Sequence, residues 1–134
     1  MHTLPLRIFP GQDLRAWLEA TLVERQLSAG FVLQGIGSLS IANLRYAGAT
    51  QATELQGDLE ILTLAGSLSP DGAHLHITVA DARGHVVGGH VASGCIVRTT
   101  AEVLIAFLPE YYFAREPDLN TGFSELVIRP TVSK

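Results

Sequence analysis

His74-Leu75-His76-Ile77-Thr78-Val79-Ala80-Asp81-Ala82-Arg83-Gly84-His85-Val86-Val87-Gly88-Gly89-His90, running on to Cys95, sets two apolar arms around a polar turn. Asp81-Ala82-Arg83-Gly84 reads as a type I turn followed by a glycine suited to positive φ, a three-residue hairpin loop with a glycine bulge. Closing that loop pairs Asp81 with His85. Counting outward sets His76 opposite His90 and His74 opposite Ala92. Side chains alternate along a strand, so Leu75, Ile77, Val79, Val87 and Val91 form a core face. The other face carries His74, His76, Thr78, Gly88, His90, Ala92 and Gly94.

Three histidines thus share a face whose other residues are nearly all small. Directly opposed residues have Cβ atoms roughly 4.5–5.5 Å apart, close enough for His76 and His90 to hold one ion. His74 projects the same way, one strand step along. Three imidazoles suit zinc or another borderline divalent metal, with a fourth position left for water or a ligand. The competing reading is that the rings hydrogen-bond neighbouring backbone or a second subunit. A one-residue slip would move His90 to the opposite face and end the metal reading. His85 is expected solvated at the loop edge, and His2 in a frayed end.

Outward from the hairpin, the chain reads as one helix followed by strands. Pro10-Gly11-Gln12-Asp13 opens a helix expected to reach about Ser28. Leu14, Trp17, Leu18, Leu22 and Leu27 form its buried face and Gly30 closes it. Strands are expected at Phe31–Ile36, Ile41–Tyr46, Asp58–Ser67, Leu75–Ala80, Val86–Val97, Glu102–Leu108 and Ser124–Arg129. Thr100–Leu108 also fits a helix, with Pro109 ending it either way. Tyr111-Tyr112-Phe113 is expected in an irregular or helical connection. The fold class is α/β in the α+β sense: a mostly antiparallel sheet of about six to eight strands, with one or two packed helices. No linker, repeat or low-complexity segment divides the chain, so residues 1–134 are expected to form one domain.

The 134 residues are 47% hydrophobic and 16% charged, enough for a core and too apolar for a disordered chain. Mean hydropathy is +0.27, yet no apolar run approaches the roughly 18–20 residues of a membrane span. The surplus apolar surface points to a subunit interface. Met1 to Pro10 lacks a basic segment followed by an apolar stretch, so no secretory signal is expected. One cysteine, Cys95, cannot form an internal disulfide; the cytoplasm is the expected compartment. Nine Lys and Arg stand against thirteen acids, a net charge of −4. That balance argues against direct binding of nucleic acid, which counterion release by basic residues drives.

His74-Leu75-His76 followed by Gly84-His85-Val86-Val87-Gly88-Gly89-His90 resembles the "HLH … G-x-V-x-GGH" signature of the plants-and-prokaryotes-conserved (PPC) domain in its prokaryotic branch. Supporting segments match in order: Pro10–Leu14, Gly35–Ser40, Leu59–Gly66, Thr99–Val103 and Thr121–Leu126. The resemblance implies an antiparallel α/β fold, a homotrimer, and association with DNA or a regulatory partner protein. In plants the domain follows a basic AT-hook. This chain has no Arg-Gly-Arg-Pro hook, so the DNA role comes without the residues that carry it there.

Other candidates are weaker. Gly35-Ile36-Gly37-Ser38 lacks a P-loop lysine and is expected to be a tight turn between strands. Cys95 reads as a small buried residue. Ser38, Ser40 and Ser93 have no nucleophile-elbow context. Glu102, a carboxylate in an apolar run, is a partner orienting a metal-bound histidine, a general base, or a salt bridge to Arg98 or Arg45. Asp118–Gly122 is expected to be a turn, with Glu116 and Asp118 solvated and Arg115 pairing across a subunit boundary. Three functions follow: a homotrimeric binding module, a metal site built from His74, His76 and His90, and a metal-dependent hydrolase or lyase acting on a small molecule.

Overall fold

The computed structural model describes residues 2–131. Its elements are β1 (His2–Ile8), α1 (Leu14–Glu24), β2 (Gly30–Arg45), β3 (Thr53–Ser69), β4 (Gly72–Ala80), β5 (Val86–Val91), β6 (Ile96–Phe107), β7 (Tyr111–Pro117) and β8 (Ser124–Pro130). Eight antiparallel strands and one short helix realise the expected α+β class. Six strands form one sheet in the order β1-β6-β2-β3-β4-β5, while β7 and β8 pair separately. The larger sheet curls until β5 also meets the end of β2, with Leu44 opposite Val91 and Arg45 opposite His90. No helix among the described residues is long and apolar enough to cross a membrane.

Asp13 starts α1. Its backbone is extended, its Oδ1 accepts the Ala16 N–H at 2.9 Å, and its Oδ2 accepts the Gly94 N–H at 2.7 Å. One carboxylate thus caps the helix and ties it to the β5–β6 connection. Leu14, Leu18, Thr21 and Leu22 are buried, and Trp17 packs against the same core. Asp13→Ala is expected to lower stability by about 1–2 kcal/mol. Denaturant unfolding checks this, and a wild-type midpoint would show that the cap contributes nothing.

The helix ends earlier than its periodicity suggests. Gln26 takes φ 55°, and the Leu27 N–H returns to the Leu22 carbonyl at 3.0 Å, a Schellman-type closure. Gly30 therefore does not close the helix; it already belongs to β2. There a Cβ would crowd the Ala106 carbonyl oxygen at 3.2 Å.

Several strands depart from expectation for one common reason: pairing partners distant in sequence. Residues 30–45 form one strand rather than two, so Gly35–Ser38 lies inside β2, near a register irregularity, and not in a turn. Thr100–Leu108 falls in β6 up to Phe107, because β1 and β2 satisfy its backbone on both sides. His2 opens β1 opposite Phe107 instead of fraying. Tyr111–Phe113 is strand, not an irregular or helical link. β8 pairs with it, and Phe113 is buried edge-on against Phe31, ring centres 5.7 Å apart. The expected run Val86–Val97 breaks after Val91, and the Ala92 N–H reaches the Asn43 carbonyl on β2. Glu116 is ion-paired to Arg129 at 2.8 Å, not merely solvated. Asp118 does form the expected turn, accepting the Asn120 N–H at 2.7 Å.

Candidate metal centre

The β4–β5 hairpin closes as its turn chemistry dictates. The Asp81 N–H donates to the His85 carbonyl and the Gly84 N–H to the Asp81 carbonyl, both at 2.9 Å. Asp81 Oδ1 also accepts the Arg83 and His85 N–H groups, and Gly84 takes φ 80°. In the resulting register His76 stands opposite His90. The ladder stops there, so the expected pairing of His74 with Ala92 does not form. On the inner face Leu75, Ile77, Val79 and Val91 are buried, but Val87 is 37% exposed.

His74, His76 and His90 converge. One ligand nitrogen from each lies within 4.8 Å of the other two. Ring centres are 5.0 Å apart for His74–His76, 4.5 Å for His76–His90 and 5.5 Å for His74–His90. His76 is exposed; the other two are half-buried. Tetrahedral zinc with nitrogens at about 2.0–2.1 Å needs them roughly 3.4 Å apart. Small side-chain rotations therefore suffice, and an all-imidazole donor set fits a borderline divalent ion.

Burial pulls His74 below the ordinary histidine value, aided by the Arg115 guanidinium and by His76 and His90, with Glu125 opposing. His90 is lowered first by burial, then by Arg45 and His76. Both rings are therefore held neutral near pH 7, the state that ligates metal.

Two arginines complete the surroundings. Arg115 on β7 places Nη1 3.4 Å from His74 Nδ1, while its Nη2 donates to the Ser124 carbonyl at 2.8 Å. Arg45, beside His90 across β2 and β5, donates to the Ala49 carbonyl at 3.2 Å. Open clefts of about 670 and 710 Å³ flank the histidines, both lined by Arg45, His74, His90, Arg115 and Ser124.

The other candidates lie elsewhere. Glu102 is exposed on β6, opposite Arg7 of β1 and Ile36 of β2. Two strands, β2 and β3, separate it from β4, and the clefts beside the histidines do not include it. It is not positioned to orient a ligand. Arg98 pairs with Asp58 at 3.1 Å instead. His85 is loosely paired with Asp81 at 3.5 Å and its side chain is 70% exposed. Cys95 is fully buried, and burial pushes its thiol up to about 11, which suppresses nucleophilicity. The sequence reading assigned the site neither Arg45 nor Arg115, since one depends on sheet curl and the other on a strand not foreseen.

The family model of the Plants and Prokaryotes Conserved (PCC) domain, the PPC domain named above, matches residues 1–109. The chain is 56% identical over 126 residues to a bifunctional protein GlmU of Synechococcus sp. (strain JA-2-3B'a(2-13)), covering 94% of this chain and 20% of that protein. It thus spans about a fifth of the length of the curated relatives it matches. A hypothetical protein from Salmonella enterica superposes with TM-score 0.95 at 40% identity, covering 98% of this chain and 95% of that one. A metal-containing protein from Archaeoglobus fulgidus superposes with TM-score 0.81 at 27% identity, covering 95% and 94%. With the signature residues on the β4–β5 hairpin and the family match spanning residues 1–109, the chain belongs to the Plants and Prokaryotes Conserved domain family.

Proposed function

We propose that the chain is a metal-binding member of this family, holding one divalent ion, zinc by ligand chemistry, on His74, His76 and His90. The observation that carries the reading is the convergence of three imidazole nitrogens within 4.8 Å from two paired strands. The relative named as metal-containing supports it. Elemental analysis of the purified chain should find about one equivalent per subunit after exposure to zinc. No retention of zinc, manganese or iron would end the proposal.

The module acts as a homotrimer. Supporting this, Leu33, Ile36, Leu62 and Leu104 are 37–50% exposed on the neighbouring strands β6, β2 and β3. An apolar surface of this kind is normally covered in an assembly. Sedimentation of the wild type should report three subunits, and Leu62→Glu should shift the equilibrium to monomer. A wild-type monomer would exclude the trimer. Within the assembly, a regulatory partner protein fits the acidic balance of the chain better than DNA does. A gel shift of AT-rich duplex at low salt would reverse that preference. The single buried thiol fits a reducing compartment such as the cytoplasm.

A second reading, a metal-dependent hydrolase or lyase, is favoured by the open clefts that flank His74 and His90. An ion on three neutral imidazoles keeps its charge uncompensated and acidifies bound water. Turnover in a screen of esters, phosphates and lactones with the metal-loaded chain would establish it.

A further inference from the structure

We infer that the metal centre is also an oxyanion site, in which Arg45 and Arg115 receive a phosphate or carboxylate group that completes the ion's coordination. The inference rests on the metal reading above. Its own basis is the pair of guanidiniums, which come from unrelated strands yet line the same two clefts as His74 and His90.

Arg15, in the first cleft, is already committed to Glu19 at 2.7 Å and to the Val91 carbonyl at 3.1 Å. Arg45 and Arg115 are not spent in this way. Among the described residues neither is ion-paired to a carboxylate; their side chains hydrogen-bond to carbonyl oxygens and an imidazole nitrogen. Asp71, the acid nearest to β7 in the first cleft, accepts the backbone N–H of Arg115, not its guanidinium. Glu125 is the other acid in the surroundings; it is exposed and close enough to oppose the arginine's effect on His74.

Metal binding would sharpen the arrangement. A guanidinium can only donate, so its contact with His74 uses the lone pair of Nδ1. A neutral imidazole has one such lone pair. An ion taking it would free Nη1 of Arg115 from that contact. A loaded site would hold a divalent ion on the three histidines beside two half-buried guanidiniums, whose planar forks match carboxylate and phosphate oxygens. This is a local concentration of positive charge on a chain that is net acidic.

The test uses the full chain loaded with cobalt(II), whose visible absorption reports its coordination, titrated separately with inorganic phosphate and with acetate. A saturable spectral change with at least one anion is expected. Arg45→Gln and Arg115→Gln should each weaken that anion about 10–100-fold, the usual loss for a charge-assisted hydrogen bond, while the anion-free cobalt spectrum stays as in wild type. Tighter phosphate assigns a phosphorylated ligand and tighter acetate a carboxylic acid. Should Arg115→Gln disturb the anion-free spectrum, Arg45→Gln decides. If cobalt binds but neither anion alters its spectrum, or the arginine variant binds them as wild type does, the oxyanion site is overturned and the metal centre stands. If no cobalt spectrum forms, both fall.

Discussion

Replacing His76 and His90 together with alanine is expected to abolish metal retention, taking the content from about one ion per chain to background. Removing a group that merely orients a ligand costs roughly 10–100-fold in affinity; deleting two of three ligands should exceed that range well. His76 is exposed and His90 sits at the end of its ladder, so the loss should come with little change in fold. Far-UV circular dichroism beside elemental analysis separates the two effects. Equal metal content in wild type and variant would remove the site.

The same rings set a pH dependence. His74 and His90 are lowered from 6.5, so they bind protons more readily unfolded than folded. In the metal-free chain their contribution to stability is complete above about pH 6.5. It declines as pH falls from there toward their folded values, because the unfolded state takes up protons first. Arg115, Arg45 and Glu125 are the charges facing them, and all but Glu125 favour the neutral rings. Melting temperature of stripped protein should therefore fall from about pH 7 to pH 5, and fall less in the double variant. An unchanged slope would mean that the histidines are not the groups responsible.

Gly66→Ala is expected to be the most damaging single substitution near the site. Gly66 takes φ 154° opposite Leu75 in the β3–β4 pairing. A Cβ there would collide with the His74 carbonyl oxygen and stand 2.8 Å from the Leu75 Cα. Those neighbours are backbone and cannot rotate away, so β4 must shift, at a cost of about 3 kcal/mol or more. The shift moves His74, so metal affinity should fall as well. Gly57→Ala is the control. Its φ is 143°, yet a Cβ there meets nothing within 4 Å, leaving only the conformational strain of about 1–3 kcal/mol. Denaturation midpoints should fall in the order wild type, Gly57→Ala, Gly66→Ala. Equal losses would show that close approach to β4 contributes nothing.

The histidine trio was legible because a hairpin is local. Asp81 and Gly84 specify the turn, the turn specifies the register, and period-two alternation then puts His76 and His90 on one face. Glu102 misled because an acid in an apolar run has two explanations at the level of sequence. It faces water on β6, remote from β4, and alternation alone cannot say which distant strand an outward side chain faces.

Local chemistry was sufficient for the α+β class, the helix start at Pro10–Asp13, the β4–β5 register and the gathering of His74, His76 and His90. Each follows from a local signal, a turn, a cap or a side-chain period, that leaves little choice to the residues flanking it. Tertiary structure alone decided that β2 is one long strand, that residues 111–113 pair with β8, and that Arg45 and Arg115 stand beside the imidazoles. Those outcomes depend on pairing partners remote in sequence: residues 111–113 pair with 128–130, and Leu44 and Arg45 on β2 meet Val91 and His90 where the sheet curls until β5 reaches β2. No window of sequence contains that closure, because its energy comes from burying the helix face and the sheet interior together.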